Sequence, residues 1–324
     1  MSYTMCSRIT FPASDTRKEL KLYFVTSVSI QSSWKMLTDT AEIILPRKLK
    51  LFWGENLNQY IKPGDPVKIE LGYNRVLLNE FEGYVTRIER GVPVAMYCED
   101  EMYKLKRKKA SYSKRSVKLG ELLKDLCGEY EIVTSFGDTE LGAVRYADML
   151  VSQILEDVKK KTGLYSYFIG KTLYCGNVYT DKMQLPETKI HLERNAVSQD
   201  LQQTEGDYEV TALAILKGGK KLEAKAGTKG AETVNLTYND KDKTVTVEVL
   251  KEFAERYYEG LKKQKYKGGI ELFGIPAVTF GQVIDLKSDI TPEMDGKYYI
   301  EKVTKEFSDN ATYRQKVELG GRTE

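Results

Sequence analysis

Alternation of apolar and polar positions dominates the first hundred residues. In Val67-Lys68-Ile69-Glu70-Leu71 the apolar side chains fall on every second position, the period of a strand with one buried face. The same β character marks 21–30, 41–45, 81–90 and 94–98, with Pro63-Gly64-Asp65 and Gly91-Val92-Pro93 supplying turn chemistry between the runs. One compact β barrel or sandwich is the economical expectation for this stretch.

The period changes after about residue 101. Leu119, Leu122, Leu123 and Leu126 recur at helical spacing and stop near Gly128, while Leu150, Val151, Ile154, Leu155 and Val158 mark a second amphipathic helix over 149–161. Asp148 is expected to cap its start. Gly163, behind Lys159-Lys160-Lys161, suits its end, where cations and a left-handed glycine are both favourable. A hairpin follows over 164–175, turning at Gly170-Lys171. The β pattern resumes at 190–192 and 209–216, and a stretch rich in glycine, alanine and lysine then breaks it. Beyond that, 233–238 and 244–249 are expected to pair as a hairpin, with a helix over about 250–263.

A weak internal repeat ties the two ends together. The first copy reads Lys62-Pro63-Gly64-Asp65-Pro66-Val67-Lys68-Ile69, then Tyr84-Val85-Thr86-Arg87-Ile88; the second reads Thr279-Phe280-Gly281-Gln282-Val283-Ile284-Asp285-Leu286, then Tyr299-Ile300-Glu301-Lys302-Val303. Setting Gly64 on Gly281 places Val67 on Ile284 and Ile69 on Leu286, and the second segments follow with a two-residue shift. One small β module used twice is the reading, the second copy split by an insertion.

Composition narrows the function classes. A chain of 324 residues with 41% apolar content supports two or three domains with ordinary cores. Fifty basic residues against 47 acidic leave a net charge of +3, so no global field draws the chain onto nucleic acid or membrane. Cys6, Cys98, Cys127 and Cys175 form no zinc spacing and no disulfide framework, and read as buried thiols in a reducing compartment. No apolar run approaches the length of a membrane span.

Candidate chemistry fails motif by motif. Gly170-Lys171-Thr172 resembles the end of a phosphate loop, but Tyr165 stands where the first glycine belongs and a strand follows. Asp240-Lys241-Asp242 lacks the later ligands of a calcium loop. His191 is the chain's single histidine, which removes most triad and multi-histidine metal arrangements and reads as a strand residue; a thiol partner such as Cys175 would be needed for a hydrolase. Glu99, Asp100 and Glu101 read as a solvated strand edge. No catalytic, cofactor-binding or metal-binding residue is assigned. The strongest charge feature is Lys104, Lys106, Arg107, Lys108, Lys109, Lys114, Arg115 and Lys118, eight cations in fifteen residues, interleaved with Tyr103 and Tyr112. It suits an acidic protein partner, a phosphate backbone or a solvated linker.

The order of these parts resembles the central baseplate hub proteins of contractile phage tails and phage-tail-like bacteriocins, the late-control D family and the hubs of Gram-positive prophages. The likeness rests on Lys62-Pro63-Gly64-Asp65-Pro66-Val67 with Gly83-Tyr84-Val85, and on the 149–161 helix followed by Leu164-Tyr165-Ser166-Tyr167 and Leu173-Tyr174-Cys175-Gly176. At the end it rests on Phe273-Gly274-Ile275-Pro276, Phe280-Gly281-Gln282-Val283 and Gly296-Lys297-Tyr298-Tyr299-Ile300. Where relatives often carry Pro-Gly-Asp, the second module has Phe280-Gly281-Gln282. The expected fold is α+β and β-rich: a first barrel-like module over 1–103, an α+β domain over 104–177, a second module over 178–216 plus 268–324, and an insertion over 217–267. The resemblance implies a homotrimer forming a pseudo-six-fold ring between a hexameric tail tube and a trimeric spike. Other baseplate proteins and the tape-measure protein are further partners, with no cofactor, no catalysis and no specific nucleic-acid binding. Assembly is expected in the bacterial cytoplasm, and a tail-associated cell-wall hydrolase or a basic nucleic-acid-binding module are the alternatives.

Overall fold

The alternating runs become strands whose buried faces meet in two adjoining cores. The computed structural model describes residues 3–14, 17–46, 60–89, 91, 93–176, 186–203, 207–215, 221–238, 245–263 and 266–323. The opening segment holds β1 (Met5–Phe11), β2 (Leu20–Leu22), β3 (Ser27–Ser33), β4 (Thr40–Leu45), β5 (Pro66–Tyr73), β6 (Val76–Glu89) and β7 (Val94–Glu99). Val67, Ile69 and Leu71 of β5 are buried as their alternation requires. Glu70, on the opposite face, is buried too, because the Arg8 fork on β1 holds it at 2.6 and 2.7 Å.

The middle segment is α+β: α1 (Met102–Leu105), β8 (Lys109–Lys114), α2 (Leu119–Cys127), β9 (Glu131–Val133), β10 (Val144–Leu150), α3 (Val151–Thr162), β11 (Tyr165–Ile169) and β12 (Thr172–Gly176). The predicted stripes Leu119, Leu122, Leu123, Leu126 and Val151, Ile154, Leu155, Val158 are buried together in one cluster. Gly163 ends α3 at φ 71°, its N–H on the Lys159 carbonyl. The start of α3 differs from expectation. β10 runs on to Leu150, whose N–H is accepted by Gln153, while Asp148 sits at φ 48° and pairs with Lys109 instead of capping.

The last segment holds β13 (Thr188–His191), α4 (Leu192–Asn195), β14 (Ala196–Gln199), β15 (Gln202–Gln203), β16 (Tyr208–Ile215), β17 (Lys221–Gly227), β18 (Glu232–Tyr238), α5 (Val247–Lys263), β19 (Tyr266–Lys267), β20 (Gly269–Phe273), β21 (Val283–Lys287), β22 (Gly296–Ser308) and β23 (Thr312–Arg322). The hairpin expected over 233–249 does not form. β18 runs parallel to β16, and Val247 to Val249 are the first turn of α5, whose Leu250 and Ala254 pack into the sheet. Asp240 to Asp242 lie outside the described residues. β16, in the stretch read from sequence as part of the second module, pairs among the described residues with β17 and β18, in a three-stranded sheet apart from the 13-stranded one. The insertion leaves and re-enters through β15 and β19, which pair with each other, and Asp200 and Gly269 close the stem at 3.0 Å.

One 13-stranded sheet joins the two halves. It contains the order β5-β6-β7-β4-β3 and, beside it, β22-β23-β20-β14, with β21 pairing β22 off the main path. The repeated turns match atom for atom. Gly64 (φ 98°) donates to the Val85 carbonyl at 2.7 Å, and Gly281 (φ 82°) donates to the Ile300 carbonyl at 2.9 Å. Val85 donates back to Asp65 and Ile300 to Gln282, at 2.9 and 2.8 Å. Pro66 pairs with Tyr84 as Val283 pairs with Tyr299. The departure from Pro-Gly-Asp is also resolved: Asp65 Oδ2 accepts the Lys62 N–H at 3.0 Å, and Gln282 Oε1 accepts the Thr279 N–H at 2.9 Å. A longer amide thus closes the second turn as a carboxylate closes the first.

The halves are linked by β3 and β22, from Lys302 opposite Ser33 to Ser308 opposite Ser27. Gln282→Leu removes the acceptor that closes the second turn. It should lower unfolding free energy by about 1 kcal/mol in chemical denaturation, whereas Gln282→Glu should retain most of it.

Candidate interaction surfaces

The basic stretch folds across the α+β segment, and most of its charge is neutralised there. Lys104 lies 3.0 Å from Glu101, Lys106 3.0 Å from Glu99, Lys108 2.7 Å from Glu129 and Lys109 2.7 Å from Asp148. Lys114 sits between Glu121 and Asp125, and Lys118 lies 2.8 Å from Asp138. Arg107 stacks over the Tyr103 ring at 3.5 Å, and Arg115 is exposed. The partners at 121, 125, 129, 138 and 148 come later in the chain than the cations, so a count along the stretch alone overstates the field. Exposed pairs of this kind add little stability each. Their effect is to leave Arg107 and Arg115 as the cations without a carboxylate partner among the described residues.

The acidic edge at Glu99 to Glu101 is a buried network. Asp100 and Glu101 are 7% and 6% exposed. Asp100 accepts from Thr38 Oγ1 at 2.7 Å and from the N–H groups of Asp39 and Met102 at 3.0 Å each. Glu101 accepts from Tyr84 Oη at 2.9 Å and Tyr130 Oη at 3.2 Å. Burial pushes the Asp100 carboxyl up to about 6. Asp39 is raised well above the usual carboxylate range by burial and by the charge of Asp100. Both line a cavity of about 170 Å³ that also touches Glu80, Phe168 and Phe280, at the meeting of the opening, middle and closing segments.

His191 ends β13, as its place between apolar residues predicts. Its Nδ1 lies 3.1 Å from Glu193 Oε2 and its Nε2 lies 3.3 Å from Asp289 Oδ1. Donor atoms of the three residues fall within 4.8 Å of one another, the spacing of a metal centre. The ring faces the two carboxylates with opposite nitrogens, so it bridges Glu193 and Asp289. Glu193 is engaged by Ser288 Oγ at 2.6 Å and by the Asp289 N–H at 3.1 Å, and these hydrogen bonds, that from Ser288 the largest, hold its carboxyl down at about 2. The arrangement reads as a charged clasp on the turn after β21. Cys175 is not brought to it: it is fully buried in the α+β core, and Ser166 Oγ is 3.5 Å from its sulfur. Burial likewise pushes the Cys98 and Cys127 thiols up to about 12, so neither is a ready nucleophile.

Two apolar surfaces escaped the sequence reading. The run over 21–30 is not one strand; it breaks at Tyr23-Phe24-Val25, between β2 on β1 and β3 on β4, and Phe24 stands 79% exposed. Ile290, on the turn that Glu193 holds, is 77% exposed. An unbroken apolar run hides the first, and a lone isoleucine beside Asp289 gives no periodic signal for the second.

The fold recurs in solved structures. A tail protein from Neisseria meningitidis matches with a TM-score of 0.67 at 14% identity, over 98% of this chain and 97% of that one. The 43 kDa tail protein of prophage MuSo2 from Shewanella oneidensis matches at 0.69 and 12% identity, over 98% of each chain. The chain has the fold of phage tail proteins. An E. coli component of the type VI secretion system, described as similar to the T4 tail proteins gp27 and gp5, matches at 0.58 and 8% identity over 92% of this chain and 73% of that one. No family model and no curated protein matches the sequence.

The buried pair sets a pH dependence. A carboxyl that holds its proton more tightly when folded favours folding fully below the unfolded value near 4, and that contribution is lost as pH rises through the folded value, about 6 for Asp100 and higher than normal for Asp39. Asp39→Asn removes the repulsion while its amide oxygen still accepts the Ser33 N–H. It should raise stability at pH 8 by on the order of 1 kcal/mol and change little at pH 4.5, read from thermal melts at both values.

Proposed function

We propose that the chain is the structural hub of a contractile tail baseplate: a homotrimer whose two β modules per subunit form a pseudo-six-fold ring between a hexameric tail tube and a trimeric spike. The observation that carries this reading is the duplicated turn and strand order, with Gly64 and Gly281 making the same hydrogen bonds in the same register. Two similar surfaces on one rigid sheet give six when three chains associate, and a six-fold tube asks for six similar contacts. Nearly full-length likeness to tail proteins supports a structural role in a tail.

In this reading the ends of the β modules meet the tube, and the α+β segment and the insertion reach the spike, other baseplate proteins or the tape-measure protein. Arg107 and Arg115 are the part of the basic stretch left for an acidic partner. The assembly would form in the bacterial cytoplasm and travel as part of the phage or phage-like particle. The burial of Cys98, Cys127 and Cys175 and the spanned histidine favour this over a cell-wall hydrolase, and the internal pairing of the lysines favours it over a nucleic-acid-binding module.

Sedimentation of the purified chain should give a mass three times its 37.0 kDa, and electron micrographs should show rings with a central opening. A stable monomer without rings would overturn the hub reading.

A further inference from the structure

Two exposed apolar features lie at opposite ends of β22. Near Ser308 an open groove of about 940 Å³ is lined by Met5, Cys6, Phe24, Phe273 and Ile275, with Asp309 and Arg314 also on its wall. At the Gly296 end, the turn after β21 carries Ile290 into solvent. The 13 residues of β22 separate the two by roughly 40 Å at the rise of an extended strand.

The Ile290 turn is set before any partner arrives. Ser288 Oγ accepts the N–H groups of Thr291 at 2.9 Å and Ile290 at 3.3 Å, and Asp295 accepts that of Ser288 at 2.9 Å. Glu193 grips the same turn from α4 through Ser288 and Asp289. A side chain on so constrained a backbone loses little conformational freedom on docking. Beside it Asp289 and Arg194 lie 3.4 Å apart, with the His191 ring 3.3 Å from Asp289 on the other side. The groove offers the complementary pair, Arg314, which lies over the Phe273 ring at 4.5 Å, and Asp309.

We propose that Ile290 of one copy seats in the groove between Phe24 and Phe273 of the next copy, with Asp289 meeting Arg314 and Arg194 meeting Asp309. Knob and socket are different patches of one chain, so the contact can repeat head-to-tail from copy to copy and close as a ring. Closure at three rests on the hub reading above; the contact itself rests on shape, polarity and charge.

Cys6 makes the contact testable, because it lines the groove and is partly exposed. Ile290→Cys would bring a second thiol to it from the neighbouring copy. Mild oxidation, or a short bismaleimide, should then link copies on a non-reducing gel, and adding Cys6→Ser should abolish the links. In the unmodified chain, Ile290→Asp changes a residue already in solvent and so leaves folding intact; it should weaken self-association by about tenfold or more in sedimentation, as expected for an interface anchor. Trimers that give no Cys6-dependent links and are unmoved by Ile290→Asp would overturn this contact while leaving the hub reading in place. A wild-type chain that sediments as a single copy would overturn both.

Discussion

The architecture depends on one ladder of backbone hydrogen bonds, that between β3 and β22. It pairs residues about 270 positions apart and turns two modules into a single sheet. β22 is long enough to serve both cores: Tyr298, Ile300 and Val303 pack in one, and Phe307 packs in the other. Beside the ladder, Lys305 pairs with Glu80, and Tyr313 Oη donates to Glu80 at 2.8 Å, all three largely out of water. A buried ion pair is weak evidence for stability, since desolvation opposes the attraction. It is stronger evidence for register. A slip of one residue would turn Lys305 to the other face of the sheet and leave Glu80 buried without its cation. The alignment of the two modules is thus fixed by a charge that has one place to go.

The matching turns show how such a duplication persists while its sequence diverges. What is kept is a glycine with positive φ, two reciprocal backbone hydrogen bonds with the neighbouring strand, and one side-chain oxygen aimed at the turn's own N–H. Aspartate supplies that oxygen in one copy and glutamine in the other, and proline or phenylalanine precedes the glycine. The constraint lies on backbone geometry and on one acceptor, which leaves most side chains free. The same freedom accounts for a fold shared with tail proteins at 12% to 14% identity.

Much of this was legible in the chain itself. Val67, Ile69 and Leu71 gave a strand by period, Leu119 to Leu126 a helix by period, and Gly64 and Gly281 a repeat by position. Residues whose fate is decided by distant partners were not. Thr244 to Val249 alternates like a strand, yet α5 claims its last three residues because Leu250 and Ala254 find a sheet to cover. Asp100 sits among acids that read as solvated, and it is buried because Thr38 and two N–H groups accommodate it. The lysines from 104 to 118 look like a free field until the acids of α2 and beyond are folded against them. Phe24 and Ile290 carry no local signal of exposure at all.

The stem at Asp200 and Gly269 has a consequence for how this chain can change. Its two arms are hydrogen-bonded to each other, Gly268 takes a left-handed φ of 107°, and a side chain there would meet the Asp200 carbonyl. The segment beyond the stem has its own sheet, helix and core. Lengthening a closed loop costs only about 0.6 kcal/mol for each doubling. The stem is therefore a port: whatever is spliced between those two residues starts and ends at one fixed place on the 13-stranded sheet, and that sheet does not have to be rebuilt.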